Sequence, residues 1–310
     1  MKFSSYAGAL LLSAVFASPC WSQVLPYARS WGSFGTANDQ FLTPVGMVVQ
    51  NDGSVYVVDT DLQCVKQFTN DGTYVSQWPV TYPTSISQDA AGNLYVAQIG
   101  IEEIAVFTNT GVPVTQWSVP GVPYGVAVDV DGSVYVSDKD NERVLKYTGS
   151  GVVIQEWGSR GTGNGEFSGL DNVAVDGHGH VYTVENRNKR IQKFSTSGEY
   201  ITQWGVAGSE AGQFNYPVRV ATNEAGTLVY VTDYQNNSVQ VFTEMGSYLG
   251  QWGTFGSGPG QFHGPIGITV DGSGNVFVAD SRNSRIQVFG DAATPTKTMT
   301  WGQLKRLFDR

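Results

Sequence analysis

A Tyr or Phe flanked by aliphatic or β-branched residues recurs six times along this chain. The copies are Val55-Tyr56-Val57, Leu94-Tyr95-Val96, Val134-Tyr135-Val136, Val181-Tyr182-Thr183, Val229-Tyr230-Val231 and Val276-Phe277-Val278. The aromatic positions are separated by 39, 40, 47, 48 and 47 residues, a spacing that marks a repeat architecture. Around each copy lie the same pieces. A strand such as Gly125 to Asp129 leads to a Gly/Asp/Asn turn, then the aromatic strand, a polar loop, and a third strand ending in an aromatic (Phe68, Phe107, Tyr147, Phe194, Phe242, Phe289). A glycine turn and a fourth strand follow, five of which end in Trp78, Trp117, Trp157, Trp204 and Trp252, ten residues after the third-strand aromatic. The period-two alternation reads as strand throughout.

A four-stranded unit of this size cannot bury both of its faces alone. Six units around an axis bury them against one another, so the expected fold is all-β: a six-bladed β-propeller of four-stranded antiparallel blades over residues 23–290. Composition agrees. Of 310 residues, 41% are hydrophobic and 38 are glycine, which excludes a disordered chain and a coiled coil. Two cysteines exclude a disulfide scaffold.

The ring has an expected seam. Val24 to Trp31 reads like a fourth strand, as in Tyr200 to Trp204, so the chain enters as the outer strand of the blade that its last three strands complete. Thr296 to Trp301 is the competing occupant of that place. Residues 291–310 are then a tail ending in a short basic amphipathic turn, Gln303 to Arg310, read as a cap on a blade edge or a docking segment.

Lys2 followed by the apolar run Ala7 to Ala17 and small residues has the pattern of a secretory signal peptide over residues 1–22. Cleavage after Ala17 or after Ser22 fits. Pro19 before Cys20 departs from a lipidation signal, and the run is too short to span a bilayer, which takes about 20 residues. The mature chain is expected to be secreted or periplasmic and monomeric, with Cys64 buried. Its net charge of −9 and the lack of a wholly basic face argue against nucleic acid.

Residues 260–289 resemble the NHL repeat family. They read Gly-Gln-Phe-x-x-Pro, then Val-Asp, then Gly-Asn-Val-Phe-Val-Ala-Asp-Ser-x-Asn-x-Arg-Ile-Gln-Val-Phe. The third unit (Asp138, Asn141, Arg143) and the fourth (Glu185, Asn188, Arg190) match well. The fifth has Ser238 at the Arg position, the first has Cys64 there, and the second has Gln98 at the Asp position. The resemblance spans about residues 24 to 290 and implies the propeller. It leaves function open, because the family includes amidating lyases, RNA-binding tripartite-motif proteins, receptor-kinase sensor domains and secreted proteins of unassigned role. The Asp and Arg set is read as structural, with the Asp accepting backbone N–H groups of the following loop.

The resemblance raises one catalytic possibility, since the lyases hold zinc near the axis with three histidines. This chain has three, His178, His180 and His263. The first two share a turn on the face opposite the loop carrying His263, and His180 takes a turn slot filled elsewhere by Asn93 and Asn275. No converging zinc set is expected. Asp129-Val-Asp131-Gly132 lacks the later acidic ligand of a calcium loop, and Gly161-x-Gly163-x-Gly165 lacks a following helix.

Function in a repeated ring is sought where the repeats differ. The loops leading into blades one, four, five and six are long, and those into blades two and three are short. On that face Asp59, Asp61, Glu102, Glu103, Asp138, Asp140 and Glu142 come from blades one to three. Arg160, Arg187, Lys189, Arg190, Arg219, Arg282 and Arg285 come from blades four to six. At the channel mouth, Gly46, Gly125 and Gly267 give way to Ser85, Asn172 and Arg219. The candidate ligand-binding residues are therefore Tyr124, Asp171, Asn172, Arg187, Arg219 and Tyr234. The expected function is a binding or scaffold module for a protein, peptide or small ligand, with no cofactor. The alternative is a lyase or lactonase assisted by calcium or zinc at the axis.

Overall fold

The computed structural model describes residues 24–290. The signal-peptide reading, Cys20, Thr296 to Trp301 and the C-terminal tail lie outside the described residues.

Six four-stranded antiparallel sheets are arranged in chain order around an axis. Their innermost strands are Pro44–Val49, Pro83–Gln88, Pro123–Val128, Leu170–Val175, Pro217–Thr222 and Pro265–Val270. Second strands such as Val134–Asp138 and Val276–Asp280 are wholly buried, because neighbouring blades cover them on both faces. The apolar side chains form six clusters, each shared by two adjacent blades. The last joins Met47, Val55 and Phe68 of blade one to Phe277, Ile286 and Val288 of blade six.

Closure occurs at the expected seam. Tyr27–Trp31 pairs antiparallel with Arg285–Phe289 and supplies the fourth strand of blade six. The tryptophans then pack on the next blade. A Cβ placed on Gly72 would lie 2.6 Å from the Trp31 indole, and Gly111, Gly151, Gly198 and Gly246 meet Trp78, Trp117, Trp157 and Trp204 in the same way. Each of these glycines has φ between 74° and 90°, so both the turn and the indole require the missing side chain.

In five of the blades the second strand ends in an acid that ties two loops together, while in blade two Gln98 takes the place and accepts the Thr81 amide at 3.0 Å. Asp59 accepts from the Leu42 and Thr43 amides at 2.8 and 3.0 Å and from Leu62 at 3.0 Å. Asp280 accepts from the His263 amide at 2.7 Å, Asn283 at 2.8 Å, Arg285 Nε at 2.7 Å and Gln287 at 3.0 Å. The loop that leads into the blade is thus held as firmly as the one that follows, which extends the expectation. The partner arginine turns its remaining donors to carbonyls of that leading loop, Arg190 to Thr162, Gly163 and Glu166.

Blade one solves the same problem differently. Cys64 is buried where the arginine would stand, and Lys66, two residues on and fully buried, donates its Nζ to the Ala37 and Gln40 carbonyls. The vacated space is a cavity of about 240 Å³ between Thr36, Cys64, Lys66 and Gln77. Burial pushes the Cys64 thiol up to about 11. At pH 8 its alkylation by iodoacetamide should therefore be on the order of a hundredfold slower in the folded protein than in urea, rising as pH approaches 11. Equal rates in the two states would show that Cys64 is not held in this environment.

Candidate functional site

Every innermost strand carries a register shift just after its first residue, from Pro44/Gly46 in blade one to Pro265/Ile268 in blade six. A β-bulge re-aims the side chain it carries. Here the shift falls at Val45, Thr84, Tyr124, Asp171, Val218 and Ile266, all at the axial mouth on the face of the leading loops. Four of them, Tyr124, Asp171, Val218 and Ile266, line a cavity of about 280 Å³ together with Tyr216, Arg219, Tyr234 and Gln235.

Arg219 forms the floor. Its side chain crosses from blade five to blade two, where Nη2 donates to the Thr84 carbonyl at 2.8 Å. Nη1 lies 3.4 Å from the carbonyls of Asp171 and Val218. Thr84, Asp171 and Val218 are all bulge residues, so the guanidinium answers carbonyls that the shifted ladders leave over. Below it lies a second cavity of about 160 Å³, lined by all six innermost strands. Arg219 thus divides the axial space into a loop-face pocket and a lower channel.

Asp171 is 1% exposed. It pairs with Lys139 and accepts from Asn186, whose amide also donates to the Tyr216 hydroxyl at 3.1 Å. Burial, then the nearby Asp171 charge, pushes the Tyr216 hydroxyl up. Each pocket tyrosine has a cation against its ring. Lys139 stands 3.7 Å from the centre of Tyr124 and Arg219 5.3 Å from it, Lys189 is 5.3 Å from Tyr216, and Arg282 is 5.1 Å from Tyr234.

Of the six residues singled out in the sequence, Tyr124, Asp171, Arg219 and Tyr234 converge on this pocket. Asn172 does not. It faces the lower channel and accepts the Val220 amide at 3.2 Å, fastening blade four to blade five. Arg187 is exposed outside the lining and acts on Tyr216 only through its charge. Tyr216, Val218, Gln235 and Ile266 were not singled out. Tyr216 could have been, since its slot before the innermost-strand proline holds Thr43 in blade one and Gly264 in blade six.

The lopsided charge of the face needs correction. Asp59, Asp138 and Glu142 are buried, as are Arg190 and Arg219. Glu142 accepts the Gly169 and Leu170 amides of the next blade at 2.8 and 2.9 Å, from a left-handed position (φ 51°) that recurs at Gln63, Glu102, Lys189, Asn237 and Ser284. The exposed remainder still divides by sign, with Asp61, Glu102 and Asp140 on one side and Arg160, Arg187 and Arg282 on the other.

The histidines do not converge. His263 packs edge-on against Phe255, their ring centres 5.1 Å apart. His180 takes over the role of the turn asparagines, its amide and Nδ1 reaching Asp176 at 2.9 and 3.0 Å, as Asn275 does to Asp271. Asp176, His180 and Glu244 lie close enough to share an ion. The buried Lys193 ammonium already sits there, 2.9 Å from Glu244, which it holds below the usual carboxylate range. It supplies the positive charge that a metal would bring. Asp129 closes a hairpin, accepting the Asp131 and Ser133 amides and the Tyr135 hydroxyl.

Comparison with known proteins places this geometry. A model of the NHL repeat matches residues 214–242 and 262–289. None of the curated proteins matches the chain in sequence. Among solved structures, a Bacteroides thetaiotaomicron protein of unknown function is 17% identical, with a TM-score of 0.68 over 86% of this chain and 73% of its own. The virginiamycin B lyase from Staphylococcus aureus is 16% identical, with a TM-score of 0.62 over 85% of this chain and 98% of its own. The Kuenenia stuttgartiensis hydrazine synthase is 10% identical, with a TM-score of 0.61 over 84% and 99%. Likeness at these identities shows the fold alone. Among the described residues no helix is long and apolar enough to cross a membrane. With blades in ring order and the repeat matched in two of them, the chain is a six-bladed β-propeller that carries NHL repeats.

Proposed function

We propose that this protein is an exported, monomeric binding module whose ligand, a small molecule or the end of a peptide or protein, enters the loop-face pocket. The observation that carries the reading is the convergence of Tyr124, Tyr216, Tyr234 and Arg219 around one cavity built from bulged strands. A concave, partly aromatic site with a few placed polar groups is where ligands bind. The axial metal reading is not favoured. The strands lining the lower channel bring no His, Cys, Asp or Glu to it, and the Arg219 guanidinium at its mouth opposes a divalent cation. Export rests on the N-terminal pattern.

Ligand-observed NMR with a mixed library of neutral, anionic and cationic fragments tests the pocket. Hits are expected on the wild-type protein and should weaken about tenfold or more in Tyr216→Ala, which removes one wall. Hits that persist unchanged in Tyr216→Ala and in Tyr234→Ala would place the site elsewhere.

A further inference from the structure

We propose that the ligand of this pocket is a small organic carboxylate, with Arg219 as the residue that recognises its charge. The inference rests on the pocket being the binding site and adds the chemical class.

Arg219 is 5% exposed, yet among the described residues no carboxylate lies within ion-pair distance of it. Its three partners are neutral carbonyls, two of them at 3.4 Å, and Nε has no partner at all. A buried cation ordinarily has a counter-ion, because burial without one costs several kcal/mol. The nearest acid, Asp171, is already engaged by Lys139 and Asn186. Arg190 shows the contrast within the same fold, as its Nε meets Glu185 at 2.8 Å. Among the described residues Arg219 is the one buried arginine left without a counter-ion, and its Nε is unpartnered.

The surroundings point the same way. Lys139 and Arg219 stand against Tyr124, Lys189 against Tyr216 and Arg282 against Tyr234. Arg219 alone of these cations lines the pocket and the other three flank its rings, while Asp171, the single acid in the lining, is already paired with Lys139, which leaves a positive site that stabilises an anion. A cavity of about 280 Å³ falls just below the range of roughly 300–1,000 Å³ typical of drug-sized ligands, so the ligand is small. Arg219 has committed three contacts to carbonyls, which leaves too few donors to surround a phosphate dianion and enough to meet one carboxylate.

Calorimetric titration of the wild-type chain with benzoate, cyclohexanecarboxylate and glucuronate, each against benzamide, cyclohexanecarboxamide and glucose, tests the class. At least one acid should bind about tenfold tighter than its neutral counterpart. Its affinity should fall about thirtyfold in Arg219→Gln. Arg187→Gln, an exposed rim change that spares the fold, should cost about threefold at low salt and little at high salt. Equal binding of acid and amide overturns the proposal, as does an acid preference kept in Arg219→Gln, or no binding by any acid at 20 mM. Inorganic phosphate binding in their place overturns the carboxylate assignment. Neutral fragments that bind the wild type and are lost in Tyr216→Ala would leave the pocket standing while sinking the charge inference.

Discussion

A chain lacking everything up to Trp31 should melt on the order of 15 °C lower than one beginning before Tyr27 and should form oligomers on gel filtration. The missing strand supplies the outer ladder of blade six. With it go the Trp31 contacts to Phe68 and Phe277, whose ring centres lie 6.1 and 6.3 Å away, and the packing on Gly72. Truncating a packed tryptophan alone costs about 3–5 kcal/mol, and each kcal/mol moves the melting point of a domain this size by about 2–4 °C. The strand Arg285–Phe289 would become an open edge, a template for pairing with another chain. An unchanged melting point would show that Thr296 to Trp301 can take the vacant place.

Asp280→Ala should cost about 3–5 kcal/mol, read by chemical denaturation. The carboxylate is fully buried and answers the His263 amide, Asn283, Arg285 and Gln287. Removing it orphans several donors and leaves the Arg285 guanidinium without its counter-ion. Asp233→Ala is the informative comparison. Asp233 accepts the Asn215, Tyr216 and Asn236 amides at 2.7, 2.9 and 3.0 Å, but Ser238 stands where the arginine would be. It should therefore cost about 1–2 kcal/mol less than Asp280→Ala. Equal losses would show that the loop amides, not the ion pair, carry the energy.

The blade plan was legible because it is written six times. Aromatic spacing, turn glycines and the tryptophan offset are local signals that survive divergence, and the seam could be read by matching Val24 to Trp31 against Tyr200 to Trp204. Tyr124, Asp171, Arg219 and Tyr234 were found because they break the repeat at known slots. What escaped is what depends on where the backbone shifts. The bulge that carries Asp171 to the mouth while leaving Asn172 in the channel is a change of register, invisible in composition. Burial of charge was equally hidden. Glu102 and Glu142 hold the same slot in sister repeats, and only the fold buries the second against the Gly169 and Leu170 amides and leaves the first in solvent. The Lys66 substitution for a missing arginine escaped because the compensating cation sits two residues away, on the neighbouring slot of the same strand.

The seam also sets a timetable. Trp31 pairs with Ile286, so the first of the described strands to be synthesised waits for the last of them. At about 5–20 residues per second, the intervening stretch takes roughly 13–50 s to synthesise. Throughout that interval the blade-one face formed by Met47, Val55 and Phe68 has no Phe277 or Val288 to cover it. Nascent chains of this design carry an exposed apolar wall for most of their synthesis, and delayed completion, more than final stability, is the stage at which aggregation competes with folding.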